Sequence, residues 1–182
     1  MIYLFSTLLI LILVIFIIPF KTFYLLKGFH FCVPHMLRIF FGTKFKWEFS
    51  FDNSCIYDIG SDETDANKLC GLTYHFNPHI DSVRFGWEWN PSKNKIDIDA
   101  YCYVDGSRSN TIIASVTPNE KISGTIEINP TNYTLTLESS SIGSVSKTIN
   151  KTKNNKVKFL LNPYFGGNRK APHTIKIYLK RL

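Results

Sequence analysis

From residue 45 to the C-terminus, apolar and polar residues alternate in short runs. In "FKWEFSF", Phe45, Trp47, Phe49 and Phe51 share one side, and Lys46, Glu48 and Ser50 the other. The same period recurs at 83–89, 96–104, 122–128, 133–137, 157–161 and 175–179. Side chains of a strand point to alternate faces, so this period predicts strands with one dry and one wet side. Turn residues separate the runs: Asn90-Pro91-Ser92, Asp105-Gly106, Pro118-Asn119 and Asn129-Pro130. No long helical period follows residue 45. The pattern predicts an all-β domain, an antiparallel β-sandwich of jelly-roll type, over residues 45–182. In "KVKFLL" it assigns Val157, Phe159 and Leu161 to the core.

One hairpin can be registered from the pattern. With Trp89 opposite Ile96, Trp87 faces Ile98, Phe85 faces Ala100 and Val83 faces Cys102. A slip of one residue would turn the apolar set to the wrong side. The opposite side then carries Arg84, Glu88, Asp97, Asp99, Tyr101 and Tyr103, the richest polar surface in the chain.

The N-terminal end has another pattern. Residues 2–20, "IYLFSTLLILILVIFIIPF", contain no charge. At helical rise they cover roughly 28 Å, close to a bilayer's hydrocarbon thickness. No Lys or Arg precedes the run and no small-residue cleavage site follows it, which favours an uncleaved transmembrane helix over residues 1–20 above a signal peptide. The lipid bilayer is therefore an expected partner and a single-pass membrane location is expected. Lys21, Lys27 and Arg38 follow the run, which favours a cytoplasmic domain, although single-anchor proteins with a short N-terminus also adopt the reverse orientation. Residues 21–44 read as an interfacial linker, rich in aromatics, Lys and Arg, or as a first strand packed on the domain.

Composition refines this picture. Net charge is +7 and aromatic content 15%, so the surface attracts anions without selecting among lipid, nucleic acid and acidic glycan. The lysines of 147–158 lack interleaved aromatics and read as a solvated hairpin, so no nucleic-acid partner is expected. Cys32, Cys55, Cys70 and Cys102 form no C-x-x-C pair, and none of the five histidines has metal spacing. No cofactor and no metal site is expected. Asp58, Asp62, Glu63, Asp65 and Asn67 offer oxygen donors of the kind calcium takes, but not in EF-hand order, and a capped turn or plain loop is the preferred reading.

Glu88, Asp97 and Asp99 raise the question of paired-carboxylate glycoside hydrolysis; the face of Arg84, Glu88, Asp97, Asp99, Tyr101 and Tyr103 is also the candidate ligand-binding surface, against a solvated strand face in which Arg84 pairs with Asp99. The segment "LNPYFGGNRKAPH" reads as a closing turn, with Gly166 and Gly167 supplying backbone freedom. Its Tyr164, Asn168, Arg169 and His173 are ligand-binding candidates displayed by a loop.

"NKLCGLTYHFNPHIDSVRFGW", "IDIDAYCYVDG" and "NPYFGGNRKAPHTIKI" together resemble a set of small uncharacterised bacterial β-sandwich proteins. These share N-K-L-x-G, R-F-G-W, A-Y-x-Y and Y-F-G-G-N-x-x-A-P-H motifs. More distantly the strand pattern is similar to concanavalin A-like jelly rolls, a group that includes lectins, polysaccharide lyases and glycoside hydrolases. The Q-I-H strand of alginate lyases has no counterpart, "YFGGN" only echoes their Y-F-K-A-G segment, and "DIDAY" lacks the glutamates of E-x-D-x-x-E hydrolases. The combined expectation is a membrane-anchored, non-catalytic binding or structural module, with a glycan as leading ligand. A divergent carbohydrate-active enzyme using Glu88 and Asp99, and a scaffold docking another membrane protein through residues 21–42, are the alternatives.

Overall fold

The computed structural model describes residues 22–35, 37–60, 66–152 and 157–182. The expected transmembrane helix over residues 1–20 lies outside them. Among the described residues no helix is long and apolar enough to cross a membrane. The described residues form thirteen strands in two antiparallel sheets. The first holds β1 (Thr22–Leu25), β2 (Cys32–Val33), β4 (Lys44–Phe51), β9 (Ile122–Ile128), β10 (Asn132–Ser139), β11 (Gly143–Asn150) and β13 (Ile175–Arg181). The second holds β3 (Arg38–Phe40), β5 (Asn67–Thr73), β6 (Ser82–Asn90), β7 (Lys95–Val104), β8 (Ser107–Val116) and β12 (Lys158–Leu161). Their spatial orders are β11-β10-β9-β4-β13-β1-β2 and β3-β12-β5-β6-β7-β8.

The sequence pattern explains the core. Phe45, Trp47, Phe49 and Phe51 of β4 are buried, as are Val83, Phe85, Trp87 and Trp89 of β6. Across the interlayer, Phe51 lies 5.2 Å from Trp87 and Phe49 6.1 Å from Phe85, ring centre to ring centre. Alternating inner faces of two sheets thus interdigitate. The β6–β7 register is the one the alternation requires: Trp89 opposite Ile96, Trp87 opposite Ile98, Phe85 opposite Ala100 and Val83 opposite Cys102. All four cysteines are buried free thiols. Burial pushes the Cys32 and Cys102 thiols up to about 12, so they stay protonated.

Two expectations are refined. Of the two readings of residues 21–44, the packed strand holds for the described part and the interfacial linker does not: β1 pairs with β13 over Thr22–Leu25, and β3 pairs with β12. Phe23 and Leu25 are buried, so the sandwich includes the chain from Thr22. The facing of β12 is also inverted. Leu160 enters the core, whereas Val157 is exposed and Phe159 turns outward against Phe76 at 4.8 Å. "FLL" is apolar on both faces, and alternation cannot set the phase of such a run.

At Gly71 the main chain of β6 leaves no room for a side chain. A Cβ there would collide with the Val83 carbonyl oxygen and the Arg84 Cα, both main-chain atoms of β6. Gly71→Ala is expected to cost about 3 kcal/mol, read as a lowered urea midpoint. An unchanged midpoint would show that β5 can move away from β6.

Candidate functional site

The outer face of the six-stranded sheet carries a groove of about 640 Å³. The strand register gives its floor. Lys68 lies opposite Gly86, which lies opposite Asp99; Gly71, Arg84, Tyr101 and Asn110 form the next row; Thr73, Ser82, Tyr103 and Arg108 form the third. Gly86 keeps the floor low, since a Cβ there would stand 3.3 Å from the Cβ atoms of both Asp99 and Tyr101. Phe31, Leu37, Phe76, Phe159 and Tyr164 form an aromatic and apolar wall.

The wall is set by the segment after β12. Chain 162–174 does not close a hairpin: it crosses from one sheet to the other, since β12 and β13 belong to different sheets. Tyr164 and Lys68 exchange two main-chain hydrogen bonds, of 2.8 and 2.9 Å. The next residue, Phe165, is fully buried against Tyr57 and Trp87, which turns Tyr164 towards the groove. Gly166 adopts φ +58° and sits where a side chain would strike the Arg169 carbonyl, so here glycine is required. Its N–H donates to Asn67 Oδ1 at 2.5 Å, and its carbonyl accepts from Lys68 Nζ at 2.8 Å.

Cations surround one phenol ring. Lys68 Nζ stands 5.0 Å and Arg84 Cζ 5.2 Å from the Tyr101 ring centre, and Lys68 is also 5.9 Å from that of Tyr164. Such contacts hold a cation at an aromatic face. Arg84 is buried; its Nη2 donates to Ser82 Oγ at 3.3 Å, while its Nε has no hydrogen-bond partner. Burial lowers the guanidinium from its ordinary value, but the nearby Tyr101 and Tyr103 oppose that. Burial also raises the Tyr101 phenol, to about 12. His79 stacks on Tyr103 at 4.9 Å, and burial, Arg84 and Lys68 together lower its imidazole, so it is neutral at pH 7. Among the described residues no Asp or Glu lines the groove.

The sequence-derived candidates therefore separate. Arg84, Tyr101, Tyr103, Tyr164 and Asn168 line the groove. Arg169 is exposed outside it, and His173 is engaged elsewhere, its Nε2 2.8 Å from the Ser54 carbonyl. Glu88 is half-buried and outside the groove. Asp97 is no solvated residue: it is fully buried and accepts from Asn90 Nδ2 at 2.7 Å, from Lys93 Nζ at 3.0 Å and from Ser115 Oγ. Burial raises its carboxyl, but these donors outweigh that and hold it below the usual carboxylate range. Asp97 thereby braces the turn at 91–94. Asp99 shares the outer face with Tyr101 but is fully buried, and neither of its oxygens has a hydrogen-bond partner. Hydrolysis by Glu88 and Asp99 requires two carboxylates facing one cleft, and neither is among the residues lining this one. Lys68, Arg108 and the Phe76–Phe159 pair had not stood out in the sequence; the N-K-L-x-G motif was the one signal for Lys68. In the acidic stretch, Asp58 accepts from the Gly60 N–H and Asn67 bonds Tyr57 and Gly166; residues 61–65 lie outside the described chain. Among the described residues no His, Cys, Asp and Glu cluster could hold a metal ion.

Comparison with known proteins bears on the fold. No family model matches the chain, and no curated sequence does. Among solved structures it is similar to the alginate lyase from Klebsiella pneumoniae, with TM-score 0.59 and 14% identity over 76% of this chain and 59% of that one. It is also similar to a functionally unknown protein from Saccharomyces cerevisiae, with TM-score 0.52 and 7% identity over 80% of this chain and 70% of that one. The chain thus spans about three-fifths of the lyase's length. At such identities the likeness establishes the fold, a two-sheet antiparallel sandwich of jelly-roll type.

Asp99 gives the site a pH signature. Burial, aided by the Asp97 charge, pushes its carboxyl up to about 6 against the pull of Asn110. The folded state then binds an extra proton between about pH 4 and 6, so stability is greatest below that window and falls as pH rises through it. At about 1.4 kcal/mol per pH unit, the ionised group costs about 3 kcal/mol at neutral pH. Asp99→Asn is expected to raise the unfolding free energy by about 2 kcal/mol at pH 7.5 and hardly at pH 4. An equal gain at both pH values, or a loss at 7.5, would contradict this.

Proposed function

We propose that this protein is a non-catalytic glycan-binding module whose groove, on the outer face of the six-stranded sheet, receives an acidic sugar chain. The observation that carries the reading is the buried Arg84, grouped with Lys68 around Tyr101 in a groove that no carboxylate lines among the described residues. A buried guanidinium with an unsatisfied Nε favours an anionic partner that brings its own hydrogen-bond acceptors. Tyr103, Tyr164 and Phe76 supply the flat apolar surfaces on which a sugar ring packs. The aligned alginate lyase acts, by its name, on an acidic polysaccharide, which agrees with this charge without assigning it.

His79 on Tyr103 supports a second reading. A neutral imidazole and a phenol beside two cations are the parts an elimination on a uronate would use: cations to offset the carboxylate, a base to take the proton, and an acid for the leaving oxygen.

Titration of the protein with polyuronate oligosaccharides, and with uncharged β-glucan oligosaccharides of equal length, tests both. Binding of the charged series alone is expected. Arg108→Ala, at an exposed position of β8, should weaken it about tenfold, the effect of one charge-assisted contact, and added salt should weaken it further. Equal affinity for the neutral series would reject the acidic ligand. Accumulation of unsaturated uronate ends would replace the binding module by the lyase reading.

A further inference from the structure

A second surface, independent of the groove's ligand, runs along the other side of its apolar wall. Between residues 29 and 41 six large apolar side chains are turned to solvent: Phe29, Phe31, Val33, Leu37, Ile39 and Phe41, each between 53% and 71% exposed. The chain here passes from β2, the last strand of one sheet, to β3, the last strand of the other, so these side chains lie along one open flank of the sandwich. They are linked: the Phe31 ring meets His35 and Tyr164 edge-on at 5.7 and 5.3 Å, and Ile39 stands opposite Phe159. Exposed apolar patches of this kind mark surfaces that are covered in use.

Two further facts identify the cover. The flank is joined directly to the uncharged run of residues 2–20, which ends two residues before β1 begins at Thr22. Its sequence also carries charge of one sign. The first acidic residue of the chain is Glu48, and Lys21, Lys27 and Arg38 lie in or beside the flank, whereas Lys44, on β4, pairs with Glu127. Lys170 and Arg169 join this set, because Ala171 exchanges main-chain hydrogen bonds with Gly28 and Phe29 at the tip of the β1–β2 hairpin. Bulky apolar side chains interleaved with cations and free of acids suit the boundary between acyl chains and anionic headgroups. A protein partner would not require the exclusion of acids over 47 residues.

We propose that this flank seats on an anionic lipid surface, with Phe29, Phe31, Leu37 and Phe41 dipping into the headgroup boundary. The groove then opens beside the membrane, because Phe31 and Leu37 belong both to its wall and to the seat. Bending the domain upright on a flexible tether would leave these side chains in water.

The test uses the full chain reconstituted in vesicles of phosphatidylcholine and phosphatidylglycerol whose acyl chains are brominated. The native Trp47, Trp87 and Trp89 are buried and give a constant background. Reporter tryptophans are introduced as Phe29→Trp, Phe41→Trp and, on the opposite edge strand β8, Thr111→Trp. Seating predicts that the reporter emission of the first two falls about twofold on bromination, as expected for side chains ~5–10 Å into the boundary, while that of Thr111→Trp is unchanged. Omitting phosphatidylglycerol should diminish the quenching at both flank positions. Quenching equal at all three positions, or at none, overturns the seat; a flank reporter shifted to the blue without bromine quenching shows a protein cover instead and also overturns it. Quenching indifferent to phosphatidylglycerol overturns the anionic part.

Discussion

The groove depends on one docking event, the pair of main-chain hydrogen bonds between Lys68 and Tyr164. Residues 163–167 have no sheet of their own, and this isolated bridge lays them along the start of β5. The consequences follow residue by residue. Phe165 enters the core beside Tyr57 and Trp87, Tyr164 faces the groove, and Gly166 turns back so that its carbonyl meets the Lys68 ammonium. Asn67 closes the arrangement from the other side, donating to the Tyr57 hydroxyl and accepting from Gly166. A buried network of this kind holds its shape because every member is satisfied by another.

Electrostatics gives the docked segment its meaning. Holding Arg84 within a sheet costs solvation, and the structure offsets part of it with the faces of Tyr101 and with Ser82, not with a carboxylate. Asp97 is spent on the 91–94 turn, Asp81 lies 3.4 Å from His75, and Asp99 is buried with its carboxyl raised towards neutrality. Among the described residues the lining thus carries positive charge and no carboxylate. A site arranged in this way favours anions through charge and through unsatisfied donors together.

How much of this was legible in the sequence depended on whether a strand had one dry face. β6 and β7 do, and Val83, Trp89, Ile96 and Cys102 suffice to set their register from the sequence. β5 is buried at every position, so "NKLCGLT" shows no alternation and Lys68 did not stand out. β12 is apolar on both sides, and its phase came out inverted. The flank at 29–41 looked like a linker because its aromatics face solvent, although Phe23, Leu25 and Cys32 anchor it in the core. Asp97 and Asp99 alternate with isoleucine as a wet face would; their burial arises from long-range packing that no local pattern encodes.

The central claim is that the outer face of the six-stranded sheet is a binding surface for an acidic glycan. A crystal structure of the protein with a uronate hexasaccharide tests it most directly. The account predicts sugar density along the groove between Tyr164 and Arg108, with a carboxylate within hydrogen-bonding distance of Arg84 or Lys68. Density confined to the outer face of the seven-stranded sheet, around Tyr178 and Lys180, would contradict it, as would an empty groove at saturating ligand.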